Sequence, residues 1–551
     1  CCPFSLSFLL ERDATQSEIY QRFLLKFRAT QTIPVYAKKH FKGLEVPLVG
    51  YYPVTVSDKT RLSRDLLYDE FCSSVKIFDI DSHLYNEFCH CRRFYENGEL
   101  EPLHEEGLAS DALLYPGVRD CEAAWKKIFK YIYPWKHPNR DEEAWKASKA
   151  WMYYEFYDSL SGVGLTTNEE VIKVSDLTKS PGPMYTAEFM DKLSVYTSLE
   201  GQVELELYWR ESARPCGSFS LFSARMKDEL RSLEKVEEKN TRVITVAPVT
   251  HYSMQQRLFK KQNDKLITTR FKTTCAIGMS RYHGEWHRMI EPFTDLDIAS
   301  IDVKGLDTSI DPEEMMDIAD MRAKALLSAV ADDEVCQTAY RIYNSYYEQL
   351  NSLIQLPDGS VVLKKTAMPS GVLNTASDDT MTMTRRNFYA IIRCLKLGPS
   401  YTDYLRGREF MTLRVCGDDS LIGIKKNTIP FNEFKEAMSE ASEIEVEEDH
   451  WVQLEQATFL AQKSKIYRGL YVPIPNRVKT WCSLMGNQKG GLENTYQRAC
   501  GIRLHCYFDT EMYNHIDQYL THLDEGMGKL LDRSVTSQKL SYLEIERLYL
   551  M

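Results

Sequence analysis

The sequence predicts an α+β fold, and three stretches predict it. Leu296 to Val303 (LDIASIDV) reads as a mostly buried strand. Phe410 to Lys425 (FMTLRVCGDDSLIGIK) reads as a hairpin, two β-type runs around a Gly-Asp-Asp turn. Val372 to Leu397 has helical character and is entered through the pliable Met368-Pro369-Ser370-Gly371 loop. With 551 residues, 43% hydrophobic and 12% aromatic, the chain can bury a large core. It is long enough for about three or four domain-sized units, which excludes a single small binding module. No apolar run approaches the roughly 18 residues of a membrane span, so the chain reads as soluble, globular and intracellular.

The chain begins Cys1-Cys2-Pro3 without methionine, and Phe4 to Leu10 lacks a basic leader, so a piece cut from a longer precursor is expected. Its 14 cysteines are scattered, which favours a reducing compartment. Cys72, His83, Cys89, His90 and Cys91 form a local cluster of metal-ligand types. Their spacing matches no common zinc motif, so buried thiols and surface histidines are the preferred reading. The aromatics of residues 120 to 160 (Trp125, Phe129, Tyr131, Tyr133, Trp135, Trp145, Trp151) could stack nucleotides, but at helical spacing a packed core with snorkelling lysines is the better reading.

The formal net charge is −11, from 68 Lys and Arg against 79 Asp and Glu, so the molecule as a whole is not a basic nucleic-acid glue. Charge is uneven: residues 257 to 272 hold six basic residues and one Asp, residues 463 to 479 hold five and no acid, and residues 433 to 449 hold eight acids and one Lys. Separate basic segments in an acidic chain suit a channel lined for a phosphate backbone. Each patch alone is more often a solvated face.

Three carboxylate-bearing elements carry the chemistry. The first strand puts Asp302 and Asp307 at its end and exit turn, followed by a helix start at Asp311-Pro312-Glu313-Glu314 with N-cap, proline and capping-box acid. The hairpin would project Asp418 and Asp419, although Asp is an ordinary turn residue and Asp-Asp recurs at 332 to 333 and 378 to 379. The third element puts Thr375 and Asp379, four residues apart, on one helical face. Carboxylates converging from separate elements are what phosphoryl transfer with two divalent metals requires.

In this order the motifs resemble those of the RNA-dependent RNA polymerases of positive-strand RNA viruses, most closely the picornavirus-like and astrovirus-like groups. Asp176 to Tyr185 (DLTKSPGPMY), with Ser180, Pro181 and Gly182, looks like the loop where the template enters. Lys227 to Ile244 looks like the basic finger motif, Asp302-x4-Asp307 like motif A, and Ser370-Gly371 with Thr375 like motif B. Gly417-Asp418-Asp419 looks like motif C and Ala457 to Lys463 (ATFLAQK) like motif E, the grip on the primer.

The resemblance covers about residues 175 to 485. It implies a right-hand fold, with fingers over 1–245, a palm of antiparallel sheet and helices over 246–470 with inserted finger segments, and a mostly helical thumb over 471–551. It implies RNA-templated RNA synthesis on an RNA template and primer, with NTPs as substrates and two Mg²⁺ or Mn²⁺ ions held by Asp302 and Asp418, Asp419 being a weaker ligand. Lys235 and Arg242 would bind the triphosphate, Asp307 and Thr375 would lie near the ribose 2′-hydroxyl, and Ser370-Gly371 would begin a mobile loop. Further implied partners are a protein primer and other viral replication proteins, at membrane-associated sites in the host cytoplasm.

The chain departs from the family pattern in three places. Asp379 stands where motif B usually has Asn, and two carboxylates at one ribose repel unless one is protonated or a cation intervenes; the expectation is that Asp379 accepts from the 2′-hydroxyl. Cys416 replaces an aromatic before Gly-Asp-Asp. The motif D region offers His450, beside Glu447, Glu448 and Asp449, in place of a lysine as general acid; a surface histidine in an acidic loop is an equally good reading.

The rival readings are a reverse transcriptase and an inactive polymerase-like RNA-binding scaffold. The Ser-Gly motif B argues against the first, and the carboxylates facing a phosphate clamp argue against the second. If His450 donates the proton to pyrophosphate, His450→Gln alters the pH–rate profile; a superimposable profile removes it from the mechanism.

Overall fold

A computed structural model of the chain describes residues 16–29, 48–54, 114–116, 121–132, 139–227, 229–301, 305–441, 450–485, 492–527 and 539–551. Asp302, the Cys72 to Cys91 cluster, Tyr133, Trp135 and the acids Glu447 to Asp449 lie outside these residues.

The strand and the hairpin form one three-stranded antiparallel sheet. β1 (Leu296–Ile301) and β2 (Met411–Cys416) flank the central β3 (Asp419–Lys425). Cys416 faces Asp419 across the turn, and Ser420 faces Ile301. Ile298, Ile301, Leu413, Val415, Leu421, Ile422 and Ile424 are buried, and this continuous apolar run makes the sheet a floor covered on both faces.

Six helices bear on the site, in chain order: α1 (Cys121–Ile132), α2 (Glu142–Leu160), α3 (Val249–Thr268), α4 (Pro312–Leu327), α5 (Val335–Leu350) and α6 (Thr375–Leu395), of which α6 packs on β2 and α1 on the strand Leu221–Met226. Trp125, Tyr131, Trp145 and Trp151, on α1 and α2, are fully buried, so the aromatic segment is core, as its spacing predicts. α4 starts where the sequence places it: Asp311 Oδ1 accepts from the Glu314 N–H at 2.8 Å and Glu314 Oε2 accepts from the Asp311 N–H at 3.1 Å, a cap of about 1 kcal/mol.

α6 is buried along its whole middle, from Ser377 to Ile392, although it carries Asp378, Arg385 and Arg386. Each of these charges meets an opposite one. Arg386 grips Glu314 with two bonds of 2.9 and 2.7 Å and Ser309 with two more. Arg385 bonds Asp317 at 2.8 Å, and Asp378 receives Arg322 at 2.6 Å and the Tyr346 hydroxyl at 2.7 Å. The helix is thereby fixed to α4 and α5.

A second sheet escapes the sequence reading. Its six strands, Arg28–Ala29, Leu48–Tyr51, Ser360–Leu363, Leu353–Gln355, Leu221–Met226 and Val243–Val246, lie in that order. At two to six residues each they are too short for periodicity to reveal. Towards the C-terminus the hairpin Gln462–Tyr467/Leu470–Pro475 is followed by helices, with a separate core around Tyr496, Ile516, Tyr519 and Leu520. No described helix is long and apolar enough to cross a membrane.

The basic segment 257 to 272 is not the open channel lining that its charge suggested. Lys261 donates to the Leu165 carbonyl, Lys265 to the Asp158 and Ser161 carbonyls, and Arg270 pairs with Glu285. These cations fasten α3 to its neighbours. Replacing Arg386 by Met leaves Glu314 buried and uncompensated, so urea denaturation should show a loss of about 3–5 kcal/mol; a loss below about 1 kcal/mol would mean that the pair does not hold α6.

Candidate active site

The tip of the hairpin is pinned from behind. Gly417 takes φ +65°, a left-handed conformation that glycine adopts without strain, and its N–H donates to Thr380 Oγ1 on α6 at 2.9 Å. Asp418 and Asp419 therefore leave a turn whose position is set by the motif B helix. β1 leads towards Asp302, and its last described residue, Ile301, sits opposite Ser420. Cys416 is half-buried in the adjoining cluster, and burial pushes its thiol up to about 11, so it acts as packing beneath the turn.

Asp379 is buried, and its Oδ1 has no hydrogen-bond partner. Burial holds its pKa well above the ordinary carboxylate range, and the charges of Asp307, Asp378 and Asp418 push the same way against a weaker Arg386. A proton on Asp379 relieves the crowding expected of two carboxylates at one ribose. Asp378, one residue earlier, faces the Arg322 and Tyr346 side of α6 and is structural.

The Ser370-Gly371 loop lies on the edge of the six-stranded sheet. Gly371 forms a parallel bridge with Val246, donates to the Thr245 carbonyl at 2.9 Å and accepts from the Ala247 N–H at 3.3 Å. A Cβ on Gly371 would come within 2.8 Å of Thr245 O and 3.0 Å of Val246 Cα, so only glycine fits this approach. Ser370 Oγ accepts from the Thr245 N–H at 3.4 Å. The Thr375 hydroxyl donates back to the Pro369 and Val372 carbonyls, at 2.9 and 3.1 Å, and so shapes the loop from the first turn of α6.

Asp307 follows the first strand as expected, but it faces α1: one oxygen accepts from Lys127 at 3.3 Å and the other from the Tyr131 hydroxyl. Lys235 is exposed on a short helix, Leu233–Glu237. Arg242 is half-exposed, 3.6 Å from Glu229. Pro181 and Gly182 are buried, with the Pro181 carbonyl accepting from Val249 at the start of α3, while Ser180 is exposed. Lys463 is exposed on its hairpin. His450 is exposed two residues before Val452, which exchanges both backbone bonds with Ile298, so it follows the outer edge of the sheet. Among the described residues no three His, Cys, Asp or Glu side chains form a ready metal cluster.

The profile of the family described as viral RNA-dependent RNA polymerase matches residues 118–523, a range containing every site residue named above. The chain belongs to that family. The genome polyprotein of soybean mosaic virus (strain N) is 22% identical over 440 residues, 79% of this chain and 14% of that polyprotein. That of watermelon mosaic virus II (isolate USA) is 21% identical over 442 residues, 79% of this chain and 42% of the polyprotein. That of lettuce mosaic virus (strain E) is 25% identical over 309 residues, 55% and 9% respectively. The polymerase thus spans less than half of each of these polyproteins.

Sequence reasoning missed three side chains of this polymerase site: Thr380, Lys127 and Tyr131. Thr380 directly follows Asp379, a weak local signal; nothing in the sequence joins Lys127 and Tyr131 to Asp307.

The pKa of Asp379 has a stability consequence. The folded state holds its proton more tightly than the unfolded chain, so through this group the metal-free protein loses stability as pH rises above about 4 towards the raised folded value. Asp379→Asn should raise the Tm near neutral pH and flatten the decline of Tm with pH; an unchanged slope would show that Asp379 is ionised in the folded protein.

Proposed function

We propose that this polymerase copies RNA into RNA, joining NTPs to an RNA 3′-hydroxyl, with Asp302 and Asp418 as ligands of two Mg²⁺ or Mn²⁺ ions and Asp419 as a weaker ligand. The observation that carries the reading is the family match over residues 118–523 together with the Gly417–Thr380 bond, which sets the turn bearing Asp418 and Asp419 against α6. Hard oxygen donors at the tip of a pinned hairpin fit Mg²⁺ or Mn²⁺. When bound, such ions lower the pKa of the attacking hydroxyl and neutralise the departing pyrophosphate.

The chain's own residues do the rest. Thr380 keeps the turn bearing Asp418 at a fixed height against α6. Lys235 and Arg242 take the triphosphate, a point charge and a planar fork suited to phosphate oxygens. Asp307 and Asp379 read the ribose, and a protonated Asp379 offers a carbonyl acceptor beside a donor, the same pair of functions as an asparagine amide. Thr375 serves by holding the Ser370-Gly371 loop.

We assign residues 1–245 to the fingers, 246–470 to the palm and 471–551 to the thumb. The position of the three-stranded sheet inside 246–470 supports this, as does the pairing of Leu353–Leu363 with the finger strands. RNA template and primer are the expected macromolecular partners, a protein primer is a further one, and membrane-associated sites in the host cytoplasm are the proposed place of action.

The test is extension of a self-priming RNA hairpin with NTPs and Mg²⁺ or Mn²⁺. Wild type should extend it, and Asp418→Ala should lose activity by roughly a thousandfold or more. A folded wild type that binds the hairpin and extends it with neither ion counts against the reading, and a preference for dNTPs would make it a reverse transcriptase.

A further inference from the structure

The surroundings of Asp307 carry a feature that the polymerase mechanism does not call on. Its two carboxylate oxygens are both engaged by α1, an element far away in sequence: Oδ1 by Lys127 Nζ at 3.3 Å and Oδ2 by the Tyr131 hydroxyl. Tyr131 is fully buried, and its hydroxyl also faces those of Thr245 and Ser370. One phenol therefore lies close to Asp307, to the Ser370-Gly371 loop and to the strand Val243–Val246. Behind it stands Lys364, also fully buried. Its ammonium donates to the Gln349 and Ala367 carbonyls at 2.6 and 2.7 Å and lies 5.8 Å from the centroid of the Tyr131 ring.

The two bonds to Asp307 are unequal. The Tyr131 ring is fully buried, and a phenol that donates to a carboxylate from a fixed ring favours one orientation of that carboxylate. The Lys127 bond is long, and both of its partners are partly exposed, with 15% and 19% of their side chains accessible. An ionised carboxylate has about four acceptor sites, so Oδ1 retains room for another donor on its open side. A carboxylate oriented in advance takes that donor without first losing rotamer freedom.

We infer that Lys127 and Tyr131 are positioning residues for sugar selection, holding Asp307 so that Oδ1 meets the 2′-hydroxyl of an incoming ribonucleotide and leaves a deoxyribonucleotide without that contact. This rests on the proposed reading of Asp307 as a ribose contact. Neither residue touches the nucleotide; both act through Asp307. Because Tyr131 also faces Ser370, the same phenol ties the ribose contact to the seat of the motif B loop.

The experiment is steady-state incorporation of ATP and dATP on a primed RNA template by the full chain, for wild type, Tyr131→Phe, Lys127→Met, Lys127→Arg and Asp307→Asn. Tyr131→Phe should lower the ATP over dATP ratio of kcat/KM by about tenfold, through a higher KM for ATP with kcat within about threefold and dATP unaffected. Lys127→Met should lower the ratio in the same way, and Lys127→Arg, which keeps the charge and donors, should restore it.

A purely structural role would depress ATP and dATP incorporation together and leave the ratio where it was, which overturns the inference. If Asp307→Asn lowers the ratio while Tyr131→Phe and Lys127→Met do not, the positioning role fails and the ribose reading of Asp307 stands. If Asp307→Asn itself leaves the ratio unchanged, the ribose reading fails and the positioning role falls with it. Should Tyr131→Phe not fold, the Lys127 pair of variants decides alone.

Discussion

Everything at the site is referred to one helix, and that helix is held by charge. α6 is buried from Ser377 to Ile392, so it cannot turn its polar side to water, and its Asp378, Arg385 and Arg386 meet opposite charges on α4: Arg322, Asp317 and Glu314. Buried ion pairs of this kind add little net stability compared with apolar packing, because desolvation offsets most of the attraction. What they supply is register. A helix fixed by three directed, mostly multidentate contacts cannot slide by a turn or rotate, whereas a greasy helix of the same length could repack. Thr380 then transmits that register to the Gly-Asp-Asp turn, and Thr375 transmits it to the loop at Ser370.

The same helix separates two adjacent aspartates into opposite roles. Asp378 is surrounded by Arg322, Tyr346 and Ser377, a satisfied and fully buried cluster. Asp379 has the other carboxylates for company and an oxygen without a partner. A hundred degrees of helical rotation thus divides a paired acid from one with an unpartnered oxygen. Burial first, and the neighbouring carboxylates second, raise the pKa of Asp379, and a protonated carboxyl would offer the donor and acceptor of an asparagine amide.

Local features of this fold were legible in the sequence, and long-range ones were not. The hairpin, the capping box at Asp311 and Glu314, and the aromatic core of α1 and α2 follow from patterns within a few residues. Turn chemistry, capping and periodicity act over that distance. The acids of motifs A, B and C stood out because their types and order carry the resemblance. By contrast, Lys127 and Tyr131 meet Asp307 across about 180 positions, and Arg386 meets Glu314 across 72. No propensity encodes such a meeting. The basic run at 257 to 272 shows the limit of composition, since Lys261, Lys265 and Arg270 are held by internal partners while Lys272 is exposed.

The six-stranded sheet has a consequence for how the protein is made. Leu48–Tyr51 has its neighbour in Ser360–Leu363, with Tyr51 opposite Ser360. The strand Leu221–Met226 is parallel to Leu353–Gln355. On a ribosome the early strands therefore emerge tens of seconds before the later ones exist to receive them. The N-terminal third cannot complete its sheet as it is synthesised and must wait, edge exposed, for the middle of the chain. Assembly of the six-stranded sheet is thus a late event, and a nascent chain halted before residue 363 would present unpaired strand edges to chaperones or to other copies of itself.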